Sequence, residues 1–583
     1  MHDLVIRGGT VVDGTGAAPF VADVAVAGNR IVEVGAVSGT ARRTIEADGA
    51  FVTPGWVDIH THYDGQVTWD SLVEPSSRHG VTSVVMGNCG VGFAPAHSGA
   101  DAHDFLISLM EGVEDIPGAA LHEGLAWNWE SFPEYLDAVD ARPHVLDLGA
   151  QMPHAALRAY VMGARGGDHD EEPTDDEIAE MSRLTEEALL AGALGFATSR
   201  TANHRSRTGE KIGSLTATAA ELFGIGEALG RAGRGVFQFV SDLRDLDEEL
   251  GLMRALGERN RRPVSVSLIQ TDNQPDRWRE VLARLEGFTR DGVDMKAQVP
   301  ARPVGLLLSL EGSMNPFMVC PSYAALAQLP LAERVAAMRG PATRAAILAE
   351  QGVRGSALVK AVSSQFDKLF QLGDPPDYEQ PRSASVGARA AVKGVDPKEL
   401  VYDLLLERDG HEMLYYPAGN YAAFNLDATR EMALNDQTLP GLSDGGAHVG
   451  VICDGSFPTY NLVHWAKDRT RGPRLPIELV VHRQTQKTAS HVGWNDRGVV
   501  SAGRKADLNV IDLDAMRLHP PRFVYDLPCS GRRLLQDVDG YVATVCSGAV
   551  TFDGGEHTGE LPGRVVRGAT GVPVTARSAG PTT

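Results

Sequence analysis

With 583 residues, 43% of them hydrophobic and 22% charged, the chain has the composition of a soluble globular protein and exceeds one ordinary domain. Its net charge of -22 argues against nucleic acid or an anionic membrane as a partner, and no apolar run approaches the roughly 20 residues of a membrane span. The five cysteines are scattered, which excludes a disulfide framework, and MHDLVIRGG lacks a signal-peptide pattern, so a cytoplasmic location is expected.

Residues 1–54 alternate β-branched residues and glycines in LVIRGGTVVDG, DVAVAGNRIVEVG and RTIEADG, with a hairpin turn expected at Gly28-Asn29. They read as the N-terminal part of a small β-sandwich. From residue 55 strands alternate with helices, the pattern of an α/β parallel sheet. WVDIHTH is the first strand, and VTSVVMGNC, continuously apolar, is the second. An insertion rich in His, Glu and Trp spans 97–140, and HVLDLGAQ is the third strand. Thr174 and Glu177 form a capping box ahead of a helix in which Ile178, Met181, Leu184 and Ala188 recur at helical spacing, and Gly192 or Gly195 stops it. LGFATS, GVFQFVSD, PVSVSLIQTD and VDMKAQVPAR supply strands four to seven.

Residues 304–440 break this rhythm and read as a large helical insertion, part lid over the site and part packing subdomain. LPGLSDGGAHVG resumes the pattern as the eighth strand. Eight strand–helix units over 55–490 predict an α/β fold of the (β/α)8 TIM-barrel type, with its chemistry at the C-terminal strand ends. β texture returns over 491–565, which is expected to complete the β-sandwich with the N-terminal strands. The Gly/Pro/Ala/Thr-rich stretch 566–583 is expected to be a disordered tail.

His60 and His62 stand on alternate residues at the end of the first strand. Residues i and i+2 of a strand share a face, so both imidazoles project the same way, as two ligands of one metal ion require. A histidine satisfied by a core hydrogen bond is the plainer alternative. Cys89 ends the second strand in Gly-Asn-Cys-Gly. A thiolate there suits zinc, although a buried free thiol is a common state of cysteine. Asp444 lies at the end of strand eight, where a buried carboxylate needs a charged partner. Ser199, Arg200, His204 and Arg205 follow strand four. Arg200 and His204 are candidates for holding an anionic or carbonyl group of a substrate, against the alternative of a solvated loop. His448 faces either the site or the following turn, Asn88 is placed to support Cys89, and His464, His482 and His491 are assigned to packing.

TPGWVDIHTHYD, GVTSVVMGNCG, LSDGG and AGRKADLNVIDLD together resemble the amidohydrolase superfamily, and HTHYDGQ with GVTSVVMGNCGVGFAP resembles its N-acyl-D-amino-acid deacylase (D-aminoacylase) group. The resemblance covers about residues 1–100, 185–300 and 435–560. It implies a metal-dependent barrel with a small β-sandwich, and hydrolysis of a C–N bond by metal-activated water. It also implies that His60, His62 and Cys89 are metal ligands, and that Asp444 binds metal and takes the proton of the attacking water. The group places a metal-binding histidine at the end of strand five, where this chain has Asp242, and Ser-His-His-Lys at strand six, where it has Ser267-Leu268-Ile269-Gln270. Leu268 cannot bind a metal, and Gln270 replaces a lysine that helps hold the substrate carboxylate. The expected ligand set is therefore His60, His62, Cys89, Asp444 and Asp242, holding one divalent ion. Zinc is favoured, with manganese or iron as alternatives. Arg200, His204 and Gln270 are the candidate substrate contacts.

The expected function is metal-assisted hydrolysis of an amide or cyclic amide of a small molecule. A lactone or ester hydrolase, a deaminase or decarboxylase on the same scaffold, and a non-catalytic binding barrel are the rivals. The long insertion is a candidate homodimer surface.

Overall fold

The computed structural model describes residues 1–350 and 356–571. Both ends of the chain meet in one nine-stranded sheet. Its N-terminal strands are His2–Val11, Phe20–Ala27, Arg30–Gly35, Ala41–Glu46 and Phe51–Pro54, and its C-terminal strands are Leu508–Ile511, Tyr541–Cys546, Ala549–Asp553 and Glu556–His557. Leu508–Ile511 forms the seam, antiparallel to Phe51–Pro54 on one side and to Tyr541–Cys546 on the other. Alternation brings Leu4, Ile6, Val24, Val26, Val52, Leu508, Val510 and Val545 into one core. Gly28, at φ +56°, sits in the expected hairpin turn.

Between the two halves of this sheet the chain is α/β, as its pattern predicts. We number its parallel strands β1 (Trp56–Asp58), β2 (Val81–Met86), β3 (Asp147–Ala150), β4 (Gly195–Arg200), β5 (Val236–Ser241), β6 (Val264–Ser267), β7 (Met295–Val299) and β8 (Thr438–Pro440). β1, β2 and β3 pair in that order, and β4 to β8 pair in that order. Met152–Pro153, just past β3, pairs parallel with β4. Thr61 and Gly445, just past β1 and β8, form a parallel bridge. Every residue of β2 is buried, as a strand covered on both faces requires.

The insertion after β2 carries helix α1 (Ala100–Glu114), which buries Leu106, Leu109, Met110 and Val113 along one face, and Glu114 at its last turn. Helix α2 (Asp175–Ala191) starts at the Thr174–Glu177 capping box and ends at Gly192. Residues 304–440 are more than helical. Strands Gly305–Leu308, Leu414–Pro417 and Phe370–Gln371 form an antiparallel sheet that packs with helices Leu331–Met338, Val386–Lys393 and Pro397–Leu405 around a core of its own. The periodicity of those short strands is hidden because each is four residues or fewer.

The chain after residue 565 is held further than its composition suggests. The amides of Val566 and Gly568 donate to the carbonyls of Leu148 and Gly192 (2.7 and 2.9 Å), and Thr570 bridges Trp494. Residues 572–583 of the expected tail lie outside the described residues. Among the described residues no helix is long and apolar enough to cross a membrane, and all five cysteines are free.

Candidate metal centre

The C-terminal ends of the parallel strands surround a cavity of about 300 Å³. His60, His62 and Cys89 meet there, buried, with their ligand atoms all within 4.8 Å of one another. His60 Nε2 lies 3.3 Å from Cys89 Sγ and 3.4 Å from Asp444 Oδ1, and His62 Nε2 lies 3.6 Å from the same oxygen. A tetrahedral ion with bonds of about 2.0–2.3 Å has ligand atoms roughly 3.3–3.8 Å apart, so these edges have the right length.

Local sequence explains why these side chains converge. Gly87 and Gly90, at φ +81° and +70°, turn the chain so that a Cβ at either would meet backbone of Gln151 or of Thr198, at 2.2 and 3.0 Å. Between them Cys89 takes φ +56°, a left-handed conformation costly for a non-glycine residue. Its amide donates to Gln238 Oε1 (3.2 Å). Asn88, expected to support Cys89, donates to the carbonyls of Thr61 and Val85 and accepts from Gln151. Asp444 and His448 are likewise left-handed, at φ +48° and +51°. The β8 loop is laced to β1: the Asp444 amide donates to the His60 carbonyl (3.2 Å), the His62 amide to the Gly445 carbonyl (2.8 Å), and Ser443 Oγ to Asp58 (2.5 Å).

The electrostatics divide the cluster. Burial lowers the His60 imidazole to about 4, so it is neutral, and its Nδ1–H donates to Gln298 Oε1 at 2.6 Å. That bond leaves Nε2 as the free lone pair. Burial opposes ionisation of Asp444, but the adjacent imidazoles, His62 foremost, outweigh it and hold the carboxyl well below its ordinary range. Burial pushes the Cys89 thiol up to about 12, so only a bound cation would make it a thiolate near neutrality.

The donor set fits a divalent cation on a further observation. His62 Nε2 and Asp444 Oδ1, which face each other in the cluster, are buried without a hydrogen-bond partner. Buried polar atoms are almost always satisfied, and a group of such donors and acceptors around one point is what a cation would relieve. Replacing Cys89 with Ala is expected to weaken zinc binding by more than the roughly 10- to 100-fold that loss of an outer partner costs, while the small buried volume removed costs about 1 kcal/mol of stability. Chelator competition and thermal melting read the two effects separately. Unchanged zinc affinity would remove Cys89 from the ligand set.

The structure does not bring every expected residue to the cluster. Asp242 lines the cavity, but its carboxylate is taken up by Thr201 Oγ1 (2.5 Å), the Ala202 amide (3.2 Å) and Arg244 (2.9 Å), away from the metal-ligand group. Arg200 is turned away from the cavity lining: it pairs with Glu249 at 2.9–3.1 Å and donates to the Ala217 carbonyl. Gln270 is also withdrawn, its amide group bonded to the Pro275 carbonyl and the Ala422 amide. His204 does line the cavity, with Nδ1 2.8 Å from Ser199 Oγ, and burial lowers it to about 3. Leu268 forms apolar wall, and His448 faces the site. Among the described residues of the segment 304–440, Val304 lines the cavity, and the segment packs on a core of its own.

Sequence reasoning missed Glu114, Gln298 and Arg277. Gln298 carried a signal, since an amide inside the buried strand MKAQV needs a partner. Glu114 carried none, because it belongs to a helix of an insertion.

The amidohydrolase family profile matches residues 43–552. An uncharacterised protein of Mycobacterium tuberculosis (strain ATCC 25618 / H37Rv) is 28% identical over 607 aligned positions, covering 96% of this chain and 93% of that protein. The D-aminoacylase of Alcaligenes xylosoxydans xylosoxydans is 37% identical over 198 residues, which is 34% of this chain and 37% of that enzyme. The crystal structure of N-acyl-D-glutamate deacylase from Bordetella bronchiseptica, complexed with zinc and a phosphonate inhibitor, aligns with a TM-score of 0.61 at 22% identity, covering 97% of this chain and 99% of that one. The structural match shows a shared fold.

Proposed function

The chain belongs to the amidohydrolase family, and from that premise we propose that it cleaves the amide of an N-acyl amino acid, or a close C–N analogue, in the cavity at His60, His62, Cys89 and Asp444. It is a metal-dependent hydrolase acting on carbon–nitrogen bonds other than peptide bonds. The observation that carries the site assignment is the convergence of His60, His62, Cys89 and Asp444, with unpartnered buried atoms among them, on one cavity at the strand ends. The eight parallel strands are read as a closed (β/α)8 barrel. The pairings from β1 to β8 and the Thr61–Gly445 bridge support this, as does the clustering of ligands at one end of the strands. The reading includes a cytoplasmic location and a homodimer through the 304–440 segment.

His60 Nε2, His62 Nε2, Cys89 Sγ and Asp444 Oδ1 would hold one divalent ion. A thiolate and two imidazoles favour zinc over manganese or iron, and the zinc held by the related deacylase structure supports that choice. When bound, the ion supplies Lewis acidity that polarises the scissile carbonyl and acidifies an attacking water. Asp444 stays ionised, accepts the proton of that water and returns it to the leaving nitrogen. Gln298 keeps His60 in the ligating tautomer. Val240, Leu268, Ile269 and Leu442 give the cavity an apolar wall for an acyl chain.

Arg277, missing from the sequence expectation, is the one Arg or Lys among the described residues lining the cavity. Its guanidinium is held by the carbonyls of Leu243 and Arg244, while Nε is buried and unpartnered. It is the group available for a substrate carboxylate in the absence of a lysine at Gln270. Arg277→Gln is expected to raise KM for carboxylate-bearing substrates about 10- to 100-fold, as loss of a charged hydrogen bond worth roughly 1.5–3 kcal/mol implies, with little change for neutral amides. Equal effects on both substrate types would exclude Arg277 from carboxylate recognition. The function itself is tested by a screen of zinc-loaded protein against N-acyl-D- and N-acyl-L-amino acids, cyclic amides, lactones and esters. Chelator-sensitive release of a free amine is the expected result, and turnover confined to lactones or esters would overturn the reading.

A further inference from the structure

Glu114 is the last residue of α1 and is 1% exposed. Its two carboxylate oxygens face two different histidines of the cavity. Oε1 is 3.4 Å from His62 Nδ1, and Oε2 is 3.5 Å from His448 Nε2. The backbone repeats the connection: the His448 amide donates to the Glu114 carbonyl, and the Gly450 amide donates to Asp115 Oδ2 at 3.2 Å. The end of α1 is thus fastened to the β8 loop just beyond Asp444. His62 is held between two carboxylates, with Nδ1 toward Glu114 and Nε2 toward Asp444. For Nε2 to offer a lone pair to a cation, Nδ1 must carry the ring proton, and a carboxylate facing Nδ1 selects that tautomer. A carboxylate this deeply buried needs such a positive or proton-donating partner.

Resting on the metal-centre reading above, we propose that Glu114 is the positioning residue that fixes the metal-binding tautomer of His62 and draws His448 onto the cavity wall. The insertion between β2 and β3 is then part of the metal centre. Gln298 serves His60 and Glu114 serves His62, so each histidine of the His-Thr-His pair has its own acceptor behind it.

The test uses the full-length protein, stripped with chelator and reloaded with zinc or cobalt(II). Glu114→Gln keeps the shape and removes the charge. It is expected to weaken zinc binding about 10- to 100-fold and to shift the visible spectrum of the cobalt form. Glu114→Asp, which withdraws the carboxylate by one methylene, is expected to show a smaller loss of the same kind. Asp104→Asn, an exposed charge on the same helix, is expected to match the wild type. Zinc affinity within about twofold of wild type and an unshifted cobalt spectrum in Glu114→Gln would overturn the assignment, as would an equal loss in Asp104→Asn. If Glu114→Gln does not fold, Glu114→Asp decides by the same two readouts, and equality with the wild type overturns the assignment. A wild-type protein that takes up no zinc overturns the metal-centre reading and this assignment together. A wild type that binds zinc beside an unaffected Glu114→Gln overturns this assignment alone.

Discussion

Asp444→Asn is expected to leave a folded protein with activity reduced by about 10³- to 10⁴-fold. The carboxylate stands in two roles. Its Oδ1 lies 3.4 Å from His60 Nε2 and 3.6 Å from His62 Nε2, where an anionic oxygen would complete the proposed cation site, and in the proposed mechanism it is the base that takes a proton from water. Loss of a general base alone costs roughly 10²–10⁴ in rate, and the amide of Asn is a poorer metal ligand. The surroundings already hold the carboxyl far below its ordinary range, so the wild-type group is ionised at any pH near neutrality. Asp444 adopts a left-handed backbone conformation, which Asn tolerates as well as Asp does, so the variant isolates chemistry from folding. Metal analysis and turnover together give the check: stoichiometric metal with activity within about tenfold of wild type would show that Asp444 is not the base.

What the sequence made legible follows from how each signal is encoded. His60, His62 and Cys89 were readable because strand periodicity and the Gly-Asn-Cys-Gly turn are local, and the structure brings the three together. The capping box at Thr174 and the stop at Gly192 were readable for the same reason. The partners of Arg200 and Gln270 were not readable, because position near a strand end does not say which way a long side chain turns. Arg200 found Glu249, 49 residues away, and Gln270 found the Ala422 amide, 152 residues away. Asp242 shows the finer limit. It reaches the cavity, but the Ala202 amide and Thr201 hydroxyl of the β4 loop take its oxygens first. Glu114 was invisible because nothing in the repeating strand–helix text reports where an inserted helix docks. The strands inside 304–440 were too short to show a period, so a mixed subdomain read as helical.

The largest expected effect on stability lies away from the cavity, at the junction between β3 and the nine-stranded sheet. AGRKADLNVIDLD supplies Lys505 and Asp507 to a buried charge network there. Asp147 of β3 accepts from Arg497 at 2.6 Å and from Lys505 at 2.7 Å, and Lys505 also pairs with Asp507 at 2.8 Å. All four side chains are under 10% exposed, so screening by water is weak and the partners depend on one another. Removing one member of such a set leaves an uncompensated buried charge, which costs about 3–5 kcal/mol. Arg497→Met, which keeps most of the side-chain length, is therefore expected to lower stability by that amount in denaturant titration and to leave zinc binding by the folded protein unchanged. Burial opposes ionisation of Asp147, but Lys505 and Arg497 outweigh it and depress the carboxyl below its ordinary value of 3.8. A depressed carboxyl contributes stability that is present above its unfolded value and lost as pH falls below it. The wild type is therefore expected to lose this part of its stability on acidification, and Arg497→Met to lose less of it. The double variant Arg497→Met with Asp147→Asn should cost less than the sum of the two single changes, because the second removes the charge that the first leaves stranded. Additive costs would mean that the network is a set of independent contacts rather than one coupled unit joining the strands to the sheet.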